Sequence, residues 1–156
     1  MAQFSASRGS FTPVAHATQA DNFVLTHLTA GGTARVKMYS WSGRGLTSTG
    51  YRTRWGRVNN TPATPTALTL SSSNPGITPV ASCNTYGTQA TLAADPTALF
   101  AVDWNVLGGG GAIVLPIGGE WIISGGSLGT AYNQIACGNI AGAEASTSAY
   151  TIQWEE

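Results

Sequence analysis

The sequence predicts an all-β protein, a single-domain β-sandwich or jelly roll of about ten short strands. Two observations carry that expectation. Short runs rich in Val, Ile, Leu, Phe, Trp and Tyr recur along the chain, each closed by Gly, Pro, Asn or Ser. Only residues 93–98, with Pro96 at an early position, suit even a single helical turn.

In chain order, residues 1–20 are small and polar, with Phe4 and Phe11 as their large apolar anchors. They read as a partly extended arm lying on this subunit or on a neighbour, and because so few anchors do not offset the backbone ordering cost, it is expected to gain order only against a neighbouring chain. The sandwich proper is expected over 21–156. A strand over 22–28 (NFVLTHL) turns at Gly31 and Gly32 into a second over 34–41 (ARVKMYSW). There Val36 and Met38 alternate with Arg35, Lys37 and Tyr39, so one face is expected to be wet. A glycine-rich loop over 42–50 leads to a strand over 51–58, and 59–65 (NNTPATP) is a turn or crossover. Short strands are expected over 66–70, 80–83 and 88–92, with loops between them.

The stretch 99–126 is the most apolar, and the rest of the chain is expected to cover it. Its strands fall over 99–104, 112–117 and 120–124, with Phe100, Val102 and Trp104 on one face of the first. Gly108–Gly111 suits a hairpin loop or bulge, and Gly118–Gly119 does the same one strand later. Strands over 130–136 and 149–154 complete the set, joined by a small, polar segment.

At 156 residues the chain is long enough to bury a sizeable core without metals or a disulfide framework. Only 9% of residues are charged, against about 25% in an average protein. A surface so poor in charge suits a protein largely covered by neighbours. The net charge is zero but segregated: all seven basic residues precede position 60, and all acidic ones except Asp21 follow it. Whether a dipole results depends on how the two halves interleave. Cys83 and Cys137 sit in no metal or redox motif and read as buried free thiols. The N-terminus lacks a signal-peptide core, and residues 112–123 are interrupted by Pro116, Gly118, Gly119 and Glu120. A soluble protein with no membrane span is the expectation. The sequon at Asn59 carries no weight without a secretion signal.

Little in the chain points to catalysis. Gly108–Gly111 lacks the following Lys-Ser/Thr and helix of a phosphate loop. His16 and His27 have structural readings, no serine sits in a nucleophile elbow, and no metal-ligand spacing occurs. Asp103 reads as an outward or arginine-paired carboxylate. No enzyme, metal or cofactor is expected.

The strongest polar feature is Lys37–Arg57, where Arg44, Arg52, Arg54 and Arg57 interleave with Tyr39, Trp41, Tyr51 and Trp55. Cations among aromatics suit single-stranded nucleic acid. They equally suit a protein interface, or an arginine ladder stacked on its own aromatics. Zero net charge counts against direct nucleic-acid binding. The favoured candidate is an interface of Arg44, Arg52, Arg54, Arg57, Trp41, Tyr51 and Trp55, facing an acidic surface.

Residues 39–57 (YSWSGRGLTSTGYRTRWGR), 103–121 (DWNVLGGGGAIVLPIGGEW), 137–148 (CGNIAGAEASTS) and the terminal WEE resemble the small all-β structural proteins of tailed bacteriophages. Among these, the chain is most similar to capsid decoration, or cement, proteins. The resemblance implies a non-enzymatic subunit on the outer surface of the virion head, often a trimer. Its partners would be the major capsid protein and copies of itself, and it would hold neighbouring capsomers together. A carbohydrate- or receptor-binding β-sandwich of a phage fibre or tail is the alternative, because exposed Trp and Tyr also serve sugar recognition.

Overall fold

The computed structural model describes residues 1–11, 20–44, 50–57, 65–86, 98–105, 107, 109–126, 133–140 and 147–156. Among them there is no helix, and twelve strands form two antiparallel sheets. The all-β sandwich class predicted from the sequence is what the chain forms. The expected strand over 88–92 and the helical turn over 93–98 lie outside the described residues except for Ala98, which begins a strand.

The first sheet contains β1 (Gln3–Phe11), β3 (Thr33–Arg44), β6 (Leu70–Ser72), β9 (Gly110–Val114), β10 (Trp121–Ser124) and β12 (Thr147–Glu155). Its order is β10-β3-β12-β1-β6, with β9 also on β3. The second contains β2 (Ala20–Thr26), β4 (Gly50–Arg57), β5 (Pro65–Ala67), β7 (Ser82–Tyr86), β8 (Ala98–Asn105) and β11 (Gln134–Ile140). Its order is β5-β7-β2-β11-β4-β8. No two of these strands that follow one another in the numbering are paired. The connections cross from sheet to sheet or skip over neighbours, so every ladder joins distant parts of the chain.

Several local expectations are corrected by that topology. Gly110 and Gly111 belong to β9, and the glycine run joins β8 in one sheet to β9 in the other instead of closing a hairpin. β9 and β10 do not pair with each other either. Both lie end to end along the same side of β3, Gly110–Val114 opposite Ser42–Met38 and Trp121–Ser124 opposite Val36–Thr33. Residues 115–120 are therefore an excursion from one interrupted edge strand. The stretch 99–126 supplies edges of both sheets, not the centre. The centre is held by β12 and β11, each paired on both sides.

The first half of the arm expected over 1–20 lies on this subunit, and the expectation that it orders only against a neighbouring chain is corrected there. Residues 3–11 form β1, an interior strand between β12 and β6. Phe4 and Ala6 are buried in the core, and the Phe4 and Trp154 rings lie 5.9 Å apart. Composition suggests too few apolar anchors, but β12 supplies partners for the backbone and Trp154 supplies a packing surface. Residues 12–19 lie outside the described residues.

The core forms between the inner faces of the sheets. Phe4, Val36, Tyr39, Tyr150, Ile152 and Trp154 come from the first, and Leu25, Trp55, Cys83, Ile135 and Cys137 from the second. Burying these apolar faces is the main driving force for the fold. A register shift between Gln153 and Trp154 sets the β3 pattern: Gln153 faces Met38 while Trp154 faces Val36, leaving Lys37 as the extra residue. Inward positions are thus Ala34 and Val36 before the bulge and Tyr39 after it. Tyr39, expected on the wet face by strict alternation, lies wholly in the core. The second sheet departs from one-sided burial as well, since Val24, Thr26, Arg54, Gln134 and Ala136 are buried alongside the inward residues of the same strands.

Candidate interaction surface

The seven residues expected at an interface divide once folded. Trp55 is fully buried on the inner face of β4, and its ring centroid is 4.8 Å from that of Tyr39. Tyr39 is the hub of an aromatic cluster, with centroids at 5.7 Å to Trp41, 5.4 Å to Phe100 and 5.3 Å to Trp121. Burial, with a smaller effect of Cys137, pushes the Tyr39 phenol well above its ordinary range. Trp41 is partly buried against this cluster. A Cβ on Gly111 would lie 2.6 Å from Trp41 Cζ2, so glycine there leaves room for the indole. Placing Trp55 at an interface is therefore corrected: it joins the two sheets internally.

Arg54 is buried on the other face of β4, which likewise removes it from an exposed binding face. Arg57 is partly buried, and its Nη2 donates to the Ile122 carbonyl at 2.9 Å. That bond ties β4 of one sheet to β10 of the other. The backbones of Arg44, Tyr51 and Arg52 lie in β3 and β4, and their side chains are outside the described residues. Arg52 is in register with Asp103, which is exposed, as expected for an outward carboxylate.

The segregated charges meet on the outer face of the first sheet. Lys37, at the β3 bulge, lies 2.8 Å from Glu120 and 3.1 Å from Glu155, and Gln3 Nε2 donates to Glu155 at 3.2 Å. The Lys37 ammonium, followed by the N–H groups of Glu120 and Gly118, pulls the Glu120 carboxyl down to about 2. Hydrogen bonds from Gln3 and then Lys37 lower Glu155, and the two carboxylates raise Lys37. Folding thus cancels part of the charge asymmetry seen along the chain.

Glu120 also closes the excursion between β9 and β10. Gly119 N–H donates to the Pro116 carbonyl at 2.9 Å, and Gly118 has φ +86°, a backbone suited to glycine. Gly118 N–H donates to Glu120 Oε2 at 2.7 Å, and Leu115 N–H to the Lys37 carbonyl at 2.7 Å. The turn so fixed carries Ile117 at its tip, 96% exposed, beside Val114 at 71%.

At the other edge of the first sheet, β6 and the 75–81 segment flank an open groove of about 690 Å³. Leu70, Pro75, Ile77, Pro79 and Val80 line much of it. The terminal side chain braces one wall: Glu156 accepts from Val80 N–H at 2.7 Å, Ala81 N–H at 2.8 Å and Trp154 Nε1 at 2.9 Å. The sequence marks the turn at Gly118–Gly119 but places Ile117 inside a strand over 112–117, and it assigns no role to the Glu156 side chain. The Pro-Ile-Gly-Gly-Glu string at 116–120 is the signal for an exposed Ile117, since proline and glycine flank it.

Other sequence candidates are structural or lie elsewhere. His27 is buried at the end of β2, its backbone N–H donating to the Asn133 carbonyl at 3.0 Å. His16 is outside the described residues. Neither Cys83 nor Cys137 is in a disulfide, both are buried, and burial raises the Cys83 thiol. Arg8, within the supposed arm, stands opposite Tyr150 on β12, and desolvation lowers its pKa. Among the described residues no cluster of His, Cys, Asp or Glu could hold a metal, and no helix could cross a membrane. Comparison with family models, curated proteins and solved structures finds no match to this chain.

Proposed function

We propose that this protein is a non-enzymatic structural subunit of a phage virion, a decoration protein that binds the outer surface of the head and holds neighbouring capsomers together. The observation that carries the reading is its set of exposed apolar side chains on hydrogen-bonded, ordered backbone. Ile117, Val114 and Val80 are 96%, 71% and 55% exposed. Isolated exposed hydrophobes are ordinary, but apolar groups held on hydrogen-bonded turns at opposite edges of one sheet suit contacts with neighbouring proteins. A sandwich with few charges is a fitting body for such a subunit, and a jelly-roll-type order is part of the reading. Its partners are the major capsid protein and other copies of the chain, with a trimer as the expected assembly. It is made in the host cytoplasm, acts on the capsid surface, and contacts neither membrane nor nucleic acid.

The fibre-type sugar-binding reading depended on exposed Trp and Tyr. Tyr39, Trp55, Tyr150 and Trp154 are core residues, and Trp41 and Trp121 pack against them, so these aromatics lend it no support. Co-sedimentation with empty heads of the phage encoding the chain tests the proposal. Saturable binding is expected, with no retention on a glycan array. Failure to bind heads, or selective glycan binding, contradicts it.

A further inference from the structure

We propose that two copies of the chain join through β8, edge to edge and antiparallel about a two-fold axis at Val102, so that the second sheet continues from one copy into the other. The contact lies apart from the apolar turns of the functional reading above. It depends neither on head binding nor on the trimer.

Exposed sheet edges template strand pairing, and proteins blunt them with short strands, interruptions, prolines or lysines. Three of the four edges formed by the described strands follow that rule. β5 and β6 have three residues each, and the β9/β10 edge is broken by the excursion over 115–120. β8 is the exception. It runs for eight residues, Ala98–Asn105, with no proline, glycine or lysine and one charged residue, Asp103. Among the described strands it pairs with β4 alone. Its irregularity, the extra residue Leu99, falls at its start and leaves positions 100–105 as a regular ladder. Phe100 and Val102 are only partly buried against the core, so an added strand would cover more of their surface.

The residue order along β8 singles out a second β8 as that strand. Directly opposed residues of an antiparallel pair share a face. A two-fold axis at Val102 sets position 100 opposite 104, 101 opposite 103, and 102 opposite itself. Positions 100, 102 and 104 hold Phe, Val and Trp, an aromatic–aliphatic–aromatic series that reads alike in both directions. With β4 of each copy, the row through position 100 becomes Trp55 and Phe100, then Trp104 and Tyr51 of the second copy, aromatic at every position. The row through position 103 becomes Arg52 and Asp103, then Ala101 and Arg54 of the second copy. The carboxylate position thus falls between arginine positions of both copies, with no like charges opposed. Aromatic pairs and opposite charges both favour pairing across strands, and a surface that pairs with itself makes an isologous two-fold contact.

Disulfide trapping on the full chain at about 50 μM, a concentration at which a micromolar contact is populated, tests this register with Ala101→Cys and Asp103→Cys. Both positions are exposed, so melting temperatures should match wild type, and the native Cys83 and Cys137 are buried. Opposed residues have Cα atoms about 4.5–5.5 Å apart, within disulfide reach, whereas residues two places out of register stand about 7–8 Å apart. Under mild oxidation an equimolar mixture of the two variants should form covalent dimer at least tenfold faster than either variant alone. A mixture no faster than the single variants would overturn the proposal. Amide exchange on the unmodified protein gives an independent reading. Protection of β8 should rise with protein concentration. Protection that appears only when phage heads are added would assign the edge to a capsid segment and overturn the proposal.

Discussion

The ammonium of Lys37 lies 2.8 Å from Glu120 Oε1, which binds the bulge of β3 to the turn that leaves its edge. One extra residue in β3 turns Lys37 outward while returning Tyr39 to the core, and Glu120 ends the excursion opposite it. The polar pair and the aromatic hub thus depend on the same bulge.

The pair gives stability a defined pH dependence. Glu120 has a folded-state pKa of about 2 against an ordinary 4.5, so its contribution is full above 4.5 and is lost as pH falls toward 2. Glu155 is shifted in the same direction. Denaturant unfolding from pH 6 to pH 2 should show a shallower loss of stability in Glu120→Gln than in wild type. Parallel profiles would show that the pair contributes nothing.

Trp55 and Arg57, two positions apart on β4, should respond differently. Trp55→Ala empties a core site between the sheets and should cost about 3–5 kcal/mol. Arg57→Ala removes a partly exposed bond to the Ile122 carbonyl and should cost about 1 kcal/mol. Urea unfolding of each variant provides the check, and similar losses at both positions would contradict the assigned burial.

Glu156 should matter more than a terminal residue ordinarily does. Replacing it with Ala leaves Ala81 N–H and Trp154 Nε1 without their acceptor, for an expected loss of about 1–3 kcal/mol. Equilibrium unfolding of Glu156→Ala measures the loss, and unchanged stability would contradict the bracing role of this carboxylate.

Neither thiol should react in the native state. Both are buried, and burial raises Cys83 away from its thiolate form. Reaction with an aromatic disulfide should be slow in buffer and release two equivalents only on unfolding. Rapid native labelling of either would contradict the placement.

The fold class was legible because alternation and turn residues are local properties. Phe100 and Val102 pack against the core, as their spacing predicts, but so does Leu99, expected on the other face and left as the extra residue by a register shift opposite Trp55 and Gly56. The topology was not legible, since every ladder joins segments that are not neighbours in sequence order, and local pattern carries no pairing information. Strict alternation misplaced Tyr39 because a single bulge reverses the faces beyond it. The arginine–aromatic cluster looked like one surface because its residues are close in sequence. Strand alternation sends Trp55 to one face of β4 and Arg54 to the other, and both faces are buried. The turn at Gly118–Gly119 was legible, but the exposure of Ile117, expected within a strand over 112–117, was not, because it depends on β9 and β10 both pairing with β3.

Decoration of the outside of a phage head is the function proposed for this chain. A reconstruction of such heads, with and without the purified protein, tests it most directly. The account predicts added density on the outer surface at contacts between capsomers, at a fixed number of copies per site. No added density, or density confined to the tail or fibres, would contradict it.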